Sequence, residues 1–320
     1  VRLVFMGTPD FAIPALRALV RSGHEVATAV TQPDRPRRSR SSPPEPSPVR
    51  AEAQALGIPV LAPESVKEPE VVEGLRAIGP EAVIVVAYGQ ILPPEILTLP
   101  PRWCINLHAS LLPKYRGAAP VAHAILEGDK VTGVTTMKMD RGLDTGDILL
   151  QRECAVGLAE TAGELTARLA LLGADLLVET LALHERGALE PRKQSPAEAT
   201  RAPSLKRSDG LIDWSRGAPE IADRVRACHP WPLAFSWLRG EPVSLLRAEV
   251  SFGDRSSSEP RPVPGQILEA GETIVVQCQE SGRLHILELQ FPGRKAMTAR
   301  DAVNGRLVRV GDIFASPPPR

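Results

Sequence analysis

The 320-residue sequence predicts an α/β fold built on a doubly wound, mostly parallel sheet, with a smaller all-β domain behind it. Two observations carry that expectation. Through the first half of the chain, short runs rich in Val, Ile and Ala alternate with segments of helical periodicity, the pattern of a parallel sheet covered on both faces. After about residue 205, short β-type runs follow one another between turn residues, as in a small barrel or sandwich. Length agrees, because the chain is longer than one typical domain.

The elements follow in order. "RLVFM" (2–6) reads as a buried strand, Gly7 opens a turn, and Phe11, Ala15, Leu16, Leu19 and Val20 recur at helical spacing up to Gly23. Strand signals return at 25–30, 59–62, 82–87 and 103–107, with helical segments near 49–56 and 70–78 between them. A helix near 118–127 comes next. The runs 132–139 and 147–154 are separated by a loop too short for a crossover helix, so they are expected to pair antiparallel. A long helical stretch from about 160 to 186 closes a first domain, 1–188. Residues 189–204 belong to a Pro-rich, polar stretch without periodicity and read as a linker. The second domain, 205–314, holds β-type runs at 233–238, 243–250, 265–270, 273–278 and 284–290 and one helix near 218–227. Residues 34–48 and 255–262 are too rich in Arg, Ser and Pro to build a core, and disorder is expected there.

Several function classes are excluded. No apolar run approaches the 18 or so residues of a membrane span, so no membrane partner is expected. The first residues form a strand entering a turn and do not read as a leader, which points to the cytoplasm. Cys104, Cys154, Cys228 and Cys278 are scattered without CxxC spacing, which suggests neither a zinc site nor a disulfide framework. Formal net charge is zero, so any polyanion must meet local basic patches. A dinucleotide site needs GxGxxG in the first strand-to-helix turn, and "MGTPDFA" has a single glycine. The phosphate-loop, HExxH and GxSxG signatures are missing as well. Neither a metal nor a dinucleotide cofactor is expected.

"CINLHASLLPKYRGAAP" (104–120) runs from a strand into a turn, and residues two apart in a strand share a face. Asn106 and His108 therefore project together at the strand's carboxyl end. An amide beside an imidazole suits a developing oxyanion, and a nearby carboxylate favours the imidazolium, which donates a strong hydrogen bond. Candidate carboxylates lie in "MDRGLDTGDIL" (139–149), whose glycines let the loop reach back over the sheet. No Ser or Cys is placed as a nucleophile, so the arrangement fits acyl transfer in which a substrate attacks. Read alone, Asn-x-His is more often a satisfied polar strand junction than a catalytic pair, and each aspartate more often an Asx-turn residue than a catalyst.

"NLHASLLPKYRGAAPV" followed by "GVTTMKMDRGLDTGDIL" closely resembles the formyltransferases that use 10-formyltetrahydrofolate. "FMGTPDFAIPAL", "TQPDRP", "VVAYGQILPPEIL", "LELQFPGRKAM" and "NGRL" extend the resemblance over nearly the whole chain. It implies a Rossmann-like formyltransferase domain, a small OB-like barrel after it, and catalysis by Asn106, His108 and Asp144, the first acid of "DTGD". By the same resemblance Tyr88, Gly89, Gln90, Ile91 and Leu92, the "SLLP" residues Ser110, Leu111, Leu112 and Pro113, and Asp140 and Thr145 line the folate site. The implied acceptor is the α-amino group of initiator methionyl-tRNA, with Phe11 against the methionyl side chain. An α-amine of pKa about 8 is already partly neutral near pH 7, so little base strength is needed, and Asp144 with a water is the implied proton handler. Candidate tRNA contacts are Arg37, Arg38 and Arg40 in the basic loop and Arg294 and Lys295 in "FPGRK". A monomer is expected.

The sequence departs from the family pattern twice. Leu233 stands after Pro-Trp-Pro where glycine is usual, and Ser39 stands at the loop's usual arginine, between Arg38 and Arg40. Three other readings share parts of this pattern: a folate-dependent formyltransferase acting on an amino sugar nucleotide, one acting on glycinamide ribonucleotide, and a non-catalytic RNA-binding module with a degenerate enzyme domain. The basic loop argues against the first and the second domain against the next. The intact Asn106, His108 and Asp144 set argues against the last.

Overall fold

In a computed structural model, residues 1–34, 44–252, 262–279 and 282–315 are described. The chain divides into two units. The first comprises Val1–Pro120, Val131–Ala155 and Thr166–Pro203, and the second comprises Val121–Lys130, Val156–Leu165 and Ser204–Arg320.

The first unit is built on β1 (Arg2–Gly7), β2 (Glu25–Val30), β3 (Val60–Leu61), β4 (Ala82–Val86), β5 (Cys104–His108), β6 (Val131–Lys138) and β7 (Ile148–Ala155), in the order β3-β2-β1-β4-β5-β6-β7. The strands from β3 to β5 are parallel, and β6 and β7 are antiparallel to their neighbours. Burial explains the apolar runs. Every residue of β4 and β5 is buried, as parallel strands covered on both faces must be.

Helices α1 (Ile13–Arg21), α2 (Pro48–Ala55) and α3 (Pro69–Ile78) join the first strands, each with a proline in its first turn where no backbone donor is lost. Short α4 (Pro94–Leu97) precedes β5, and α5 (Pro120–Leu126) and α6 (Ala162–Glu185) follow it. Ser47, inside a stretch expected to be disordered, is buried. It caps α2 by accepting from Arg50 N at 3.1 Å and bonds Thr31 at 2.6 Å.

In the second unit, α7 (Ala218–Ala227) precedes β8 (Ala234–Leu238), β9 (Glu241–Phe252), β10 (Ile267–Ala270), β11 (Ile274–Gln277), β12 (Gly282–Gln290) and β13 (Met297–Thr298). A helix not read from the sequence, α8 (Ala299–Asn304), and β14 (Phe314–Ala315) end it. The strand order β10-β11-β12-β9-β8-β14 is antiparallel throughout, and a bridge between Gln266 and Ile313 brings the two ends of the sheet together. The sheet thus curls as a small barrel around Trp214, Ile221, Val243, Leu284, Ile286 and Phe314. Leu233, where the family pattern has glycine, sits in the left-handed region at φ 70°. All four cysteines are free thiols, and burial pushes Cys104 up to about 12.

Candidate functional site

The loops after β1, β2 and β4 leave the same edge of the parallel sheet at its switch point, where the strand order reverses between β1 and β4. Thr8 Oγ1 donates to the Tyr88 carbonyl at 2.8 Å and Gln32 Nε2 to the same oxygen at 3.3 Å, so the three loops are tied together. Phe11 is half-buried in the 3-10 turn Asp10–Ala12. In the loop after β4 the side chains alternate. Tyr88 and Leu92 turn into the core, while Gly89, at φ 92°, and Ile91 face outward. Gln90 accepts from Val66 N at 2.7 Å and fastens the loop to the segment before α3.

Asn106 and His108 end β5 and are both buried. The Asn106 amide has no hydrogen-bond partner among the described residues, although only 8% of the residue is exposed. His108 Nε2 lies 2.9 Å from the Tyr115 carbonyl, which can only accept, so Nε2 carries a proton. Nδ1 is left facing Asp144 Oδ2 at 3.8 Å. Both groups are nearly enclosed, with 8% and 13% of their side chains exposed, and a charge interaction there is weakly screened.

How Asp144 arrives was not legible from spacing. Because β6 runs antiparallel to β5, its end lies level with Cys104, whose carbonyl accepts from Met139 N at 2.9 Å. The loop 139–147 must therefore travel back along β5. Asp140 Oδ1 accepts from Gly142 N at 2.9 Å and Thr145 Oγ1 at 2.6 Å, an Asx turn that folds the loop on itself. At Gly146 a Cβ would stand 1.8 Å from the Lys138 carbonyl oxygen, so no larger residue passes there. Asp144 takes the left-handed conformation, φ 53°, and its Oδ2 accepts from Gly117 N at 2.8 Å. Asp147 points elsewhere, to Lys193 at 3.3 Å.

The "SLLP" loop is internally bonded. Ser110 Oγ donates to the Lys114 carbonyl at 2.6 Å, and Thr135 Oγ1 donates to the Ser110 carbonyl at 2.6 Å and accepts from Leu112 N at 3.1 Å. Ser110 and Leu112 are buried, whereas Leu111 and Pro113 are partly exposed. Sequence reading missed Gln194, which bonds both Arg116 and the Asp144 loop, and Thr200, whose Oγ1 accepts from Tyr115 N at 2.8 Å. Arg294 and Lys295 are exposed in the turn between β12 and β13. Arg37, Arg38, Ser39 and Arg40 lie outside the described residues.

Residues 1–181 match the family described as Formyl transferase, and residues 204–307 match Formyl transferase, C-terminal domain. The chain belongs to the formyltransferase family. It is 49% identical to a protein of Solibacter usitatus named Methionyl-tRNA formyltransferase, over 96% of each chain. It is 47% identical to the Heliobacterium modesticaldum protein of that name, over 98% of this chain and all of the other. Among solved structures, Methionyl-tRNA formyltransferase from Clostridium thermocellum shares the fold at TM-score 0.54 and 20% identity, over 78% of this chain and 93% of that one. HypX from Aquifex aeolicus in complex with tetrahydrofolic acid shares it at TM-score 0.64 and 18% identity, over all of this chain and half of that one.

Two large apolar side chains are open to solvent on the loops expected to meet folate, Ile91 at 72% and Leu143 at 67% exposure. Exposed apolar surface beside enclosed polar groups fits a ligand with a flat ring and polar edges. Among the described residues, no helix is long and apolar enough to cross a membrane, and no group of three or more His, Cys, Asp or Glu is placed to hold a metal ion.

Proposed function

We propose that this chain transfers the formyl group of 10-formyltetrahydrofolate to the α-amino group of initiator methionyl-tRNA, acting as a cytoplasmic monomer. The observation that carries the reading is the delivery of the Asp144 carboxylate to His108 Nδ1, beside the unpartnered amide of Asn106, in a chain of this family. Bound folate supplies the formyl group, and Ile91, Leu143 and the main chain of 87–92 would hold it.

Asn106 and His108 donate to the oxyanion as it develops, an arrangement preorganised by their fixed strand end. Since Nε2 already donates to Tyr115, His108 can donate from Nδ1 only as imidazolium, and Asp144 offsets that charge. Asp144 also accepts the proton that the attacking amine sheds. By family resemblance Phe11 meets the methionyl side chain. Arg37, Arg38, Arg40, Arg294 and Lys295 meet the tRNA, which makes the second domain, from about 205 to 314, an RNA-contacting one after the 189–204 linker.

The test is to offer 10-formyltetrahydrofolate with methionyl initiator tRNA, glycinamide ribonucleotide or an amino sugar nucleotide, and to measure which amine is formylated. Formylation of the sugar nucleotide in preference to the tRNA overturns the reading.

A further inference from the structure

A ring of hydrogen bonds closes around Asp144. Its Oδ2 accepts from Gly117 N at 2.8 Å. The preceding residue, Arg116, donates from Nε and Nη2 to Gln194 Oε1 at 3.0 and 2.8 Å. Gln194 Nε2 in turn donates to the carbonyl oxygens of Asp144 and Gly146, at 2.8 and 2.7 Å, and so completes the ring. The amide can sit only one way round, because a guanidinium has no acceptor and the two carbonyls have no proton. All four of its hydrogen-bonding directions are filled.

Three consecutive residues hold both groups of the site. The Tyr115 carbonyl accepts from His108, the Arg116 guanidinium holds Gln194, and Gly117 N holds the Asp144 carboxylate. The segment carrying Gln194 is bonded to that triplet a second time. Thr200 accepts from Tyr115 N at its hydroxyl and from Arg116 N, at 2.9 Å, at its carbonyl, and Ala202 N donates to Arg116 at 2.8 Å. Asp144 needs such support, because it stands in the left-handed region on a loop that must reach back along β5.

We infer that Gln194 is a positioning residue, which sets the Asp144 carboxylate against His108 by clasping the peptide planes on either side of Thr145 and Gly146. The inference rests on the reading of Asp144 as the carboxylate of the reaction. Among the described residues no hydrogen bond joins Gln194 to His108 or Asn106, so its effect on turnover passes through the loop.

The experiment measures steady-state kinetics of the full chain, with 10-formyltetrahydrofolate and methionyl initiator tRNA, for Gln194→Met, Gln194→Glu, Asp144→Asn and the Gln194→Met/Asp144→Asn double variant. A thermal melt accompanies each. Gln194→Met keeps the length and removes the four bonds, and it is expected to lower kcat about 10- to 100-fold with both KM values within about threefold of wild type. Gln194→Glu sets an acceptor against two carbonyl oxygens and is expected to lose at least as much. It carries the same comparison should Gln194→Met melt too low to assay. In the double variant the Gln194 change is expected to cost less than about threefold more, because the group it positions is gone.

Turnover by Gln194→Met within about threefold of wild type, alongside a loss above about 100-fold for Asp144→Asn, overturns the positioning role and leaves Asp144 in place. A full multiplicative loss in the double variant overturns it too. If Asp144→Asn itself works within about tenfold of wild type, the underlying assignment of the carboxylate falls and the inference with it.

Discussion

His108 uses one ring nitrogen for structure and leaves the other facing Asp144, and that division makes its proposed role testable. Nε2 is spent on the Tyr115 carbonyl, so loss of the ring removes the Nδ1 donor and takes away the imidazole that faces Asp144 at 3.8 Å. Asn106→Ala and His108→Ala are each expected to lower kcat by roughly 10², about 2.7 kcal/mol, with the melting transition retained. Near wild-type turnover by either variant would sink the assignment. Between the acids the geometry discriminates more sharply. Asp144→Asn should reduce turnover by more than about 10²-fold with folate binding still measurable by titration, since the amide cannot offset an imidazolium or accept a proton. Asp147→Asn should stay within a few-fold, because its partner Lys193 is exposed and a surface pair of that kind is worth about 0 to 1 kcal/mol. At this scale the strand alternation made the Asn106 and His108 pair legible, since a period of two is local. The bonds that aim Asp144 run from Gly117 and Gln194. Such long-range partners leave no spacing to read.

Among elements, those with long periodic signals were the most legible. Strands of the parallel sheet and the α1, α3, α6 and α7 helices follow the expected runs, because complete burial or an amphipathic stripe writes itself into composition. Short α4 and α8 have too few turns to show a period, and β13 and β14, two residues each, exist only by pairing, β13 with the preceding strand β12 and β14 with distant β8. The stretch read as a linker hid another feature. Arg192 bridges Ile148, and Arg201 bridges Arg116, so this polar segment lies against the loops of the site despite having no periodicity. The second unit holds a comparable hidden tie. Arg226 of α7 is buried, pairs with Asp223 at 2.8 Å, and donates to the Gly157 and Glu160 carbonyls at 3.2 and 3.3 Å. The pairing with Asp223 is visible as a three-residue spacing, but the two carbonyls are not. Arg226→Ala leaves a partly buried carboxylate and two carbonyls without the guanidinium that serves them. It is expected to cost about 3 kcal/mol or more, read as a lower urea midpoint at unchanged slope. A midpoint equal to wild type would mean that water replaces the guanidinium without loss.

For the molecule as a whole, a formal net charge of zero sets how it can meet a polyanion. No overall field draws tRNA in, so affinity must come from patches where basic groups outnumber their acidic partners. In the second unit a depression of about 300 Å³ is lined by Leu238, Arg239, Glu241, Phe291, Arg294 and Arg306. Arg239 is committed to Asp312, which leaves Arg294, Arg306 and neighbouring Lys295 to face a ligand. The other basic patch is the run Arg37, Arg38 and Arg40 in the sequence. If both patches contact phosphates, each contact removed should shallow the slope of log K against log salt by roughly 0.7 to 0.9. Arg294→Ser with Lys295→Ser, and separately Arg38→Ser with Arg40→Ser, are therefore expected to weaken tRNA binding most at low salt. Folate binding should be unchanged in both, because neither pair belongs to the segments proposed to hold folate, 87–92 and 139–147. The measurement is tRNA affinity across a salt series, with folate titrated in parallel. An unchanged slope for a pair means that its residues contact no phosphate. A loss of folate binding equal to the loss of tRNA binding means that the change reached the site near β5, and that the patch is not a separate grip on the nucleic acid.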